Sequence, residues 1–291
     1  MKVGYVLPIA DEGDGAYPWE RIASLARRAE AGGIDSLWVF DHLIFRDRGE
    51  EAGQHEAWTA LTAIAAITSR AELGSLVFAT SFRNPALFAK MAATLDEIAG
   101  GRLILGLGCG WNEPEYRAFG FPFDHRVGRF EEALKVTLPL LRGERVTFAG
   151  RWTEVDDCVL LPAPARPIPI LIAAKRDRML RLVARHAAAW NTAWFGLPDQ
   201  RFRDRRRDLL EACGAEGRDP ATLDQTVGLE VYDGTPSSPG PAAPIPADPG
   251  AIADGLATWA AEGIGHVQVN VGPADERRLD LLLEGLRRFR A

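Results

Sequence analysis

LGSLVFATSFRNPALFAKMAATLDEIAGGRLILGLGCG, residues 73–110, holds in one stretch the alternation that decides the fold. Its first run, LGSLVF at 73–78, is almost continuously apolar, as in a strand buried on both faces. Asn84 followed by Pro85 is an N-cap with proline at the first helical position. Leu87, Phe88, Met91, Leu95 and Ile98 then set an apolar stripe, and Gly100-Gly101 ends it, which predicts a helix between the two strands. The second strand follows at once over Arg102–Gly106.

The same rhythm runs through the chain. Further strand patterns lie at Lys2–Leu7, Ser36–Phe40, Ile168–Ala173, Trp190–Phe195, Thr226–Tyr232 and His266–Val271. Helical stripes fall between them, such as Ile22, Leu25, Ala26 and Ala29 after Pro18, and Leu279, Leu282, Leu283, Leu286 and Phe289 near the end. Eight strands each followed by a helix predict a single α/β domain over residues 1–291, a closed (β/α)8 TIM barrel. An open doubly wound sheet would carry a Gly-x-Gly-x-x-Gly turn after its first strand, and PIADEGDGAY lacks that spacing.

Two segments interrupt the pattern. Residues 143–167 alternate on either side of Ala149-Gly150, which predicts a hairpin inserted before strand five. Residues 233–250, DGTPSSPGPAAPIPADPG, are too poor in large apolar side chains to fold alone and read as a loop after strand seven. That loop is either a tolerated surface insertion or a lid, because active sites of such barrels form on this face. The formal charge of −6 argues against a nucleic-acid partner. No apolar run is long enough to span a bilayer, and MKVGYVLPIA has no signal-peptide plan, so the expected location is cytoplasmic. The three cysteines, Cys109, Cys158 and Cys213, fit neither a metal spacing nor a disulfide framework.

Candidate chemistry sits where strands end. Asp41-His42 directly follows LWVF: a carboxylate and an imidazole there make an acid/base group with its orienting partner, or a hydrogen-bonded structural histidine. Gly106, Gly108 and Gly110 in GLGCGW either let a flat ligand approach backbone or form a tight bend. AAKRDR at Ala173–Arg178 is either an anion site at a helix start or a solvated helix start. RFRDRRRD at 201–208 reads as a solvated helix face, and His55 beside Glu56 as part of a helix N-terminus. His125, His186 and His266 read as structural, whereas Trp111 and Trp194 at strand exits are suited to wall a pocket. HExxH, CxxC and Gly-x-Ser-x-Gly motifs are all missing, so a metal hydrolase or a serine esterase has no motif support.

SLWVFDHL at 36–43, EAWTALTAIAAITSRAELG at 56–74, FRNPALFAKMAATLDEIAGGRLILGLGCGW at 82–111 and RVGRFEEAL at 126–134 together resemble the luciferase-like monooxygenase superfamily, in particular its branch that uses the deazaflavin coenzyme F420. The resemblance implies a barrel, usually a homodimer, with a tricyclic ring at its C-terminal mouth. It implies a non-prolyl cis peptide at Leu76-Val77, ring contacts from Leu76, Val77, Gly108, Cys109, Gly110 and Trp111, and a phosphate-binding turn at Ala174, Lys175 and Arg176. That turn is commonly glycine-rich in the family, so either cationic charge stands here in place of backbone cradling or cofactor binding is weakened. The sugar-phosphate dehydrogenases of the branch carry a tryptophan where this chain has Arg46 and a glutamate where it has Trp111, which argues against that activity.

The resulting expectation is F420-dependent hydride transfer to or from a small, partly apolar substrate, with His42 as the proton donor or acceptor, oriented by Asp41. An enzyme using reduced FMN and oxygen, and a non-catalytic flavin-binding paralogue, are the alternatives. No metal is expected in either enzyme.

Overall fold

The computed structural model describes residues 1–10, 17–47, 50–234 and 243–291. Eight parallel strands form the barrel: β1 (Lys2–Val6), β2 (Ser36–Val39), β3 (Glu72–Ser75), β4 (Leu103–Gly108), β5 (Ile170–Ala173), β6 (Ala189–Phe195), β7 (Asp224–Tyr232) and β8 (His266–Gly272). Each pairs with its successor, β8 returns to β1 through Lys2 opposite His266, and β4 joins β5 through Leu105 opposite Ile170, so the sheet is closed. The helices α1 (Trp19–Ala31), α2 (Ala57–Ile67), α3 (Pro85–Ile98), α4 (Glu113–Phe119), α5 (Arg126–Leu141), α6 (Asp177–His186), α7 (Gln200–Ala215), α8 (Pro249–Ala261) and α9 (Glu276–Arg290) follow in turn, with both α4 and α5 after β4. Among the described residues no helix is long and apolar enough to cross a membrane.

Most elements begin and end where their residues dictate. Asn84 caps α3 by accepting from the N–H groups of Ala86 and Leu87, and Asp248 caps α8 in the same way. The expected hairpin forms from Val146–Ala149 and Glu154–Cys158. Glu132 of α5 holds its turn by accepting from the backbone N–H groups of Arg151, Trp152 and Thr153.

Four local expectations change. On α3 the buried face runs through Phe88, Ala89, Ala92 and Leu95, while Leu87 and Ile98 are exposed; close packing of the helix needs its small alanines inward. His55 does not cap α2: its Nε2 donates to the Tyr17 carbonyl at 2.7 Å, and Glu56 caps α2 by accepting from the N–H groups of Trp58 and Thr59. A short antiparallel hairpin, Ile44–Asp47 with Glu50–Gly53, follows β2 without a clear alternating signal in the sequence. In the Pro-rich segment Ile245–Pro246 pairs with the end of β7 and buries Ile245; residues 235–242, where a lid would have to lie, are outside the described residues.

The barrel interior is filled by indole. Trp38 lies inside with Val6, Leu171 and Ala189, and Gly4 and Gly74 on the flanking strands leave it room: a Cβ at either would collide with its ring. Trp194 takes the place above, over Gly228. At the base, Ser36 Oγ accepts from Trp38 Nε1 at 2.7 Å and lies 2.7 Å from His266 Nε2. Burial pushes the His266 imidazole down to about 3, with Lys2 and the terminal amine adding repulsion.

Two outcomes follow. Gly74→Ala should destabilise the protein by about 1–3 kcal/mol through overpacking against Trp38, whereas Gly53→Ala, which meets open space, should not; urea denaturation separates them. His266 binds its proton in the unfolded chain near 6.5 but in the folded chain only near 3, so its share of stability is present above 6.5 and is lost as pH falls through that window. The urea midpoint of the wild type should therefore drop more between pH 7 and 4.5 than that of His266→Gln.

Candidate active site

The exits of β2 to β6 surround a cavity of about 510 Å³. Asp41, His42, Leu76, Val77, Gly108, Cys109, Gly110, Trp111, Ala174, Lys175 and Arg176, all singled out in the sequence, line it, whereas Gly106 does not. The Leu76-Val77 peptide is cis, as the resemblance implies, and so is Ala193-Trp194, which the sequence did not signal.

His42 is not oriented by Asp41. Its Nδ1 lies 3.0 Å from Glu115 Oε1, and Glu115 also accepts from the backbone N–H of Leu43 at 2.9 Å. Glu115 is 1% exposed, so these bonds are protected from water. A carboxylate only accepts, so the shared hydrogen belongs to Nδ1 and Nε2 is left as the free ring nitrogen. The rings of Phe45 and Trp111 flank the imidazole at 4.5 and 5.4 Å between centroids. Trp111 is 65% exposed and extends the apolar wall outward.

Asp41 serves another part of the site. Its Oδ2 accepts from the backbone N–H of Ala79 at 2.9 Å, and both oxygens accept from Arg83 at 2.7 and 2.9 Å. Arg83 donates further to Glu56 at 2.5 Å. Burial alone would make the guanidinium easier to deprotonate, but the bonds to Asp41, with the charge of Glu56, hold it above its ordinary value. Asp41 and His42 lie in the loop beyond β2, and there each takes a separate partner, Asp41 the Ala79 N–H and Arg83, His42 the Glu115 carboxylate. The ion pair fixes the end of β2 to the segment just beyond Leu76-Val77.

The glycine turn is similarly supported. Tyr116 Oη donates to the carbonyl of Cys109 at 3.3 Å and shares a 2.8 Å bond with Ser81 Oγ; burial pushes its hydroxyl up to about 12. Gly110 has φ of 73°, and a Cβ there would strike Tyr116. Arg126, missed in the sequence, donates to the Gly110 carbonyl at 2.8 Å. Burial pushes the Cys109 thiol up, so it is not a thiolate nucleophile at neutral pH.

Across the cavity α6 begins at Asp177 with no side-chain cap on its first turn, directly after Lys175 and Arg176. Arg178 is engaged by Glu131 at 2.6 Å, whereas Lys175 and Arg176 have no ion-pair partner among the described residues. A flat apolar ledge, an imidazole with a buried carboxylate behind it, and a cationic rim thus share one cavity. Glu115 was missed in the sequence: nothing there joined it to His42, 73 residues away.

The chain belongs to the luciferase-like monooxygenase family, whose model matches residues 1–236. It is 35% identical over 179 residues to the F420-dependent glucose-6-phosphate dehydrogenase of Amycolatopsis mediterranei, a match spanning 60% of this chain and about half (52%) of that protein. With the protein of the same name from Kineococcus radiotolerans it shares 32% identity over 244 residues, 81% of this chain and 70% of that one. Its fold matches the solved structure of an F420-dependent secondary alcohol dehydrogenase in complex with an F420-acetone adduct, with a TM-score of 0.82 over 100% of this chain and 99% of that one at 19% identity.

Arg83→Met leaves the buried Asp41 carboxylate unpaired and should cost about 3–5 kcal/mol in denaturant unfolding. Removing both charges, in Asp41→Asn/Arg83→Met, should recover part of that loss.

Proposed function

We propose that this protein is an oxidoreductase that binds coenzyme F420 and moves a hydride between it and a small, partly apolar organic substrate. The observation that carries this reading is the His42–Glu115 pair set in the same cavity as the Leu76-Val77 ledge and the Lys175–Arg176 rim. The names of the two dehydrogenase relatives, both F420-dependent, support the coenzyme. The residues present suit it. Leu76, Val77, Gly108, Cys109 and Gly110 offer an apolar, side-chain-poor face for a tricyclic ring. Lys175 and Arg176, beside the uncapped start of α6, suit its phosphodiester and carboxylates.

When bound, the deazaflavin supplies or accepts the hydride. His42 takes up or returns the substrate's hydroxyl proton at Nε2, and Glu115 holds the ring in the tautomer that leaves Nε2 free and stabilises the imidazolium once the proton arrives. Phe45, Trp111 and Trp194 close apolar surface around the reacting carbon and favour a substrate with an apolar body. The sugar phosphate of the named relatives is not carried over: Trp111 occupies the place where the resemblance puts a glutamate, and Arg46 is engaged with Glu51 at 2.7 Å in the hairpin. The homodimer implied by the resemblance, and the cytoplasmic location expected from the sequence, belong to the same reading.

Titration of the apo protein with F420 and with FMN, followed by fluorescence, tests the coenzyme. F420 should bind more tightly, and a tenfold preference for FMN, about 1.4 kcal/mol, would sink the proposal in favour of a flavin monooxygenase. His42→Ala should lower turnover roughly 10²–10⁴-fold with F420 affinity nearly unchanged. Unchanged turnover with a lower melting temperature would return His42 to a structural role, and binding without turnover of any alcohol or carbonyl compound would mark a non-catalytic paralogue.

A further inference from the structure

Side chains that point into a barrel are packed in layers, and one becomes accessible only where the mouth opens above it. On β7 the inward row is Thr226, Gly228 and Glu230. Asn191 of the cavity wall donates to Thr226 Oγ1 at 2.9 Å, and the Trp194 ring covers Gly228. The alternate residues, Val227, Leu229 and Val231, are buried in the main apolar core. On β8 the inward row is His266, Gln268 and Asn270: His266 meets Ser36 and Trp38, and Gln268 Oε1 accepts from Asn191 at 2.9 Å.

The lower members of both rows are buried, whereas Glu230 and Asn270 are partly exposed. These two stand opposite each other in the register of the parallel pair. Glu230 lies two residues beyond Gly228, roughly 7 Å nearer the mouth, past the indole of Trp194. That indole also lines the candidate active site and meets Phe40 at 5.5 Å between centroids. The mouth is therefore open on the β7–β8 side as well.

Neither side chain has a partner there. The Glu230 carboxyl and the Asn270 amide make no hydrogen bond or ion pair among the described residues. Burial pushes the Glu230 carboxyl up; the charge of Arg201 acts the other way, but Arg201 donates to the Trp194 carbonyl and lies 3.6 Å from Asp199. The neighbouring side chains Phe40, Leu76 and Trp194 are apolar walls without an acceptor. An inward, half-desolvated carboxyl that the fold leaves unpaired is costly, and a donor carried in by a bound molecule removes that cost.

We infer that Glu230, with Asn270 beside it, sets substrate specificity by accepting from a donor group, hydroxyl or ammonium, on the otherwise apolar body of the substrate. This rests on reading the mouth as a substrate site and does not depend on which coenzyme binds. It narrows the substrate to an alcohol or carbonyl compound that bears a second, hydrogen-bond-donating group.

The test is ligand-observed NMR titration of the apo protein with three alcohols of one chain length, 5-amino-2-pentanol, 1,4-pentanediol and 2-hexanol. The wild type and the exposed control Glu211→Gln should bind the amino alcohol, or both it and the diol, roughly tenfold more tightly than 2-hexanol. A preference for the amino alcohol alone assigns an ammonium group; a preference for both assigns a hydroxyl as sufficient. Glu230→Gln should abolish an ammonium preference, and Glu230→Leu either one. Turnover with F420 is a separate arm, in which the same preference should appear in kcat/KM; failure of F420 to bind defeats the coenzyme reading and leaves the NMR result standing. The inference is overturned if the wild type binds all three alcohols alike or if Glu230→Leu keeps the wild-type preference. A melting temperature of Glu230→Gln below that of the wild type would also overturn it, by making the carboxylate part of the fold.

Discussion

Eight strands enclose an interior of fixed width, and in this chain two indole rings fill much of it. Trp38 fits only because Gly4 and Gly74 give up their side chains on the neighbouring strands, and Trp194 only because Gly228 does so above it. Close packing at the centre leaves no room for a ligand below the strand ends, so the open volume has to lie at the mouth. The polar floor, Ser36 with His266 and Trp38 Nε1, is the satisfied underside of the same packing.

Above the packed interior, the buried Glu115 and Asp41 and the exposed Glu56 divide the positioning of the site between them. Glu115 reaches from α4 to hold His42, Asp41 and Arg83 tie the end of β2 to the segment following the Leu76-Val77 ledge, and Glu56 joins that pair while capping α2. Each acid comes from a different strand exit or helix start. The arrangement converts barrel closure, a property of the whole sheet, into the local placement of one imidazole and one apolar ledge. Water is kept from Glu115 and Asp41 almost completely, which strengthens their bonds and makes the loss of one partner costly.

Charge is distributed unevenly around this mouth. The His42 side is walled by Phe45 and Trp111, whereas Lys175 and Arg176, which have no ion-pair partner among the described residues, lie beyond β5. The separation suits an elongated ligand with an apolar reacting end and an anionic far end. An overall charge of −6 gives no hint of it, because net charge sums over the surface while recognition depends on where opposite charges are missing.

Much of this was written in the sequence. Apolar runs of strand length, the Asn84-Pro85 cap and the Gly100-Gly101 stop determined the eight-fold alternation, and each is a local property that survives in any context. The loops after the strands marked the cavity residues because a parallel barrel must place those loops at one end. Tertiary structure alone decided which partner each polar group takes. Asp41 and His42 are adjacent in the chain, yet Asp41 meets Arg83, 42 residues away, and His42 meets Glu115, 73 residues away. Arg201 and Arg205 read as surface charge, but the packing of α7 against β6 turns them to the Trp194 and Ala193 carbonyls and the Thr192 hydroxyl. Periodicity reports which face of an element is buried; which side chains meet across that face depends on closure of the whole barrel.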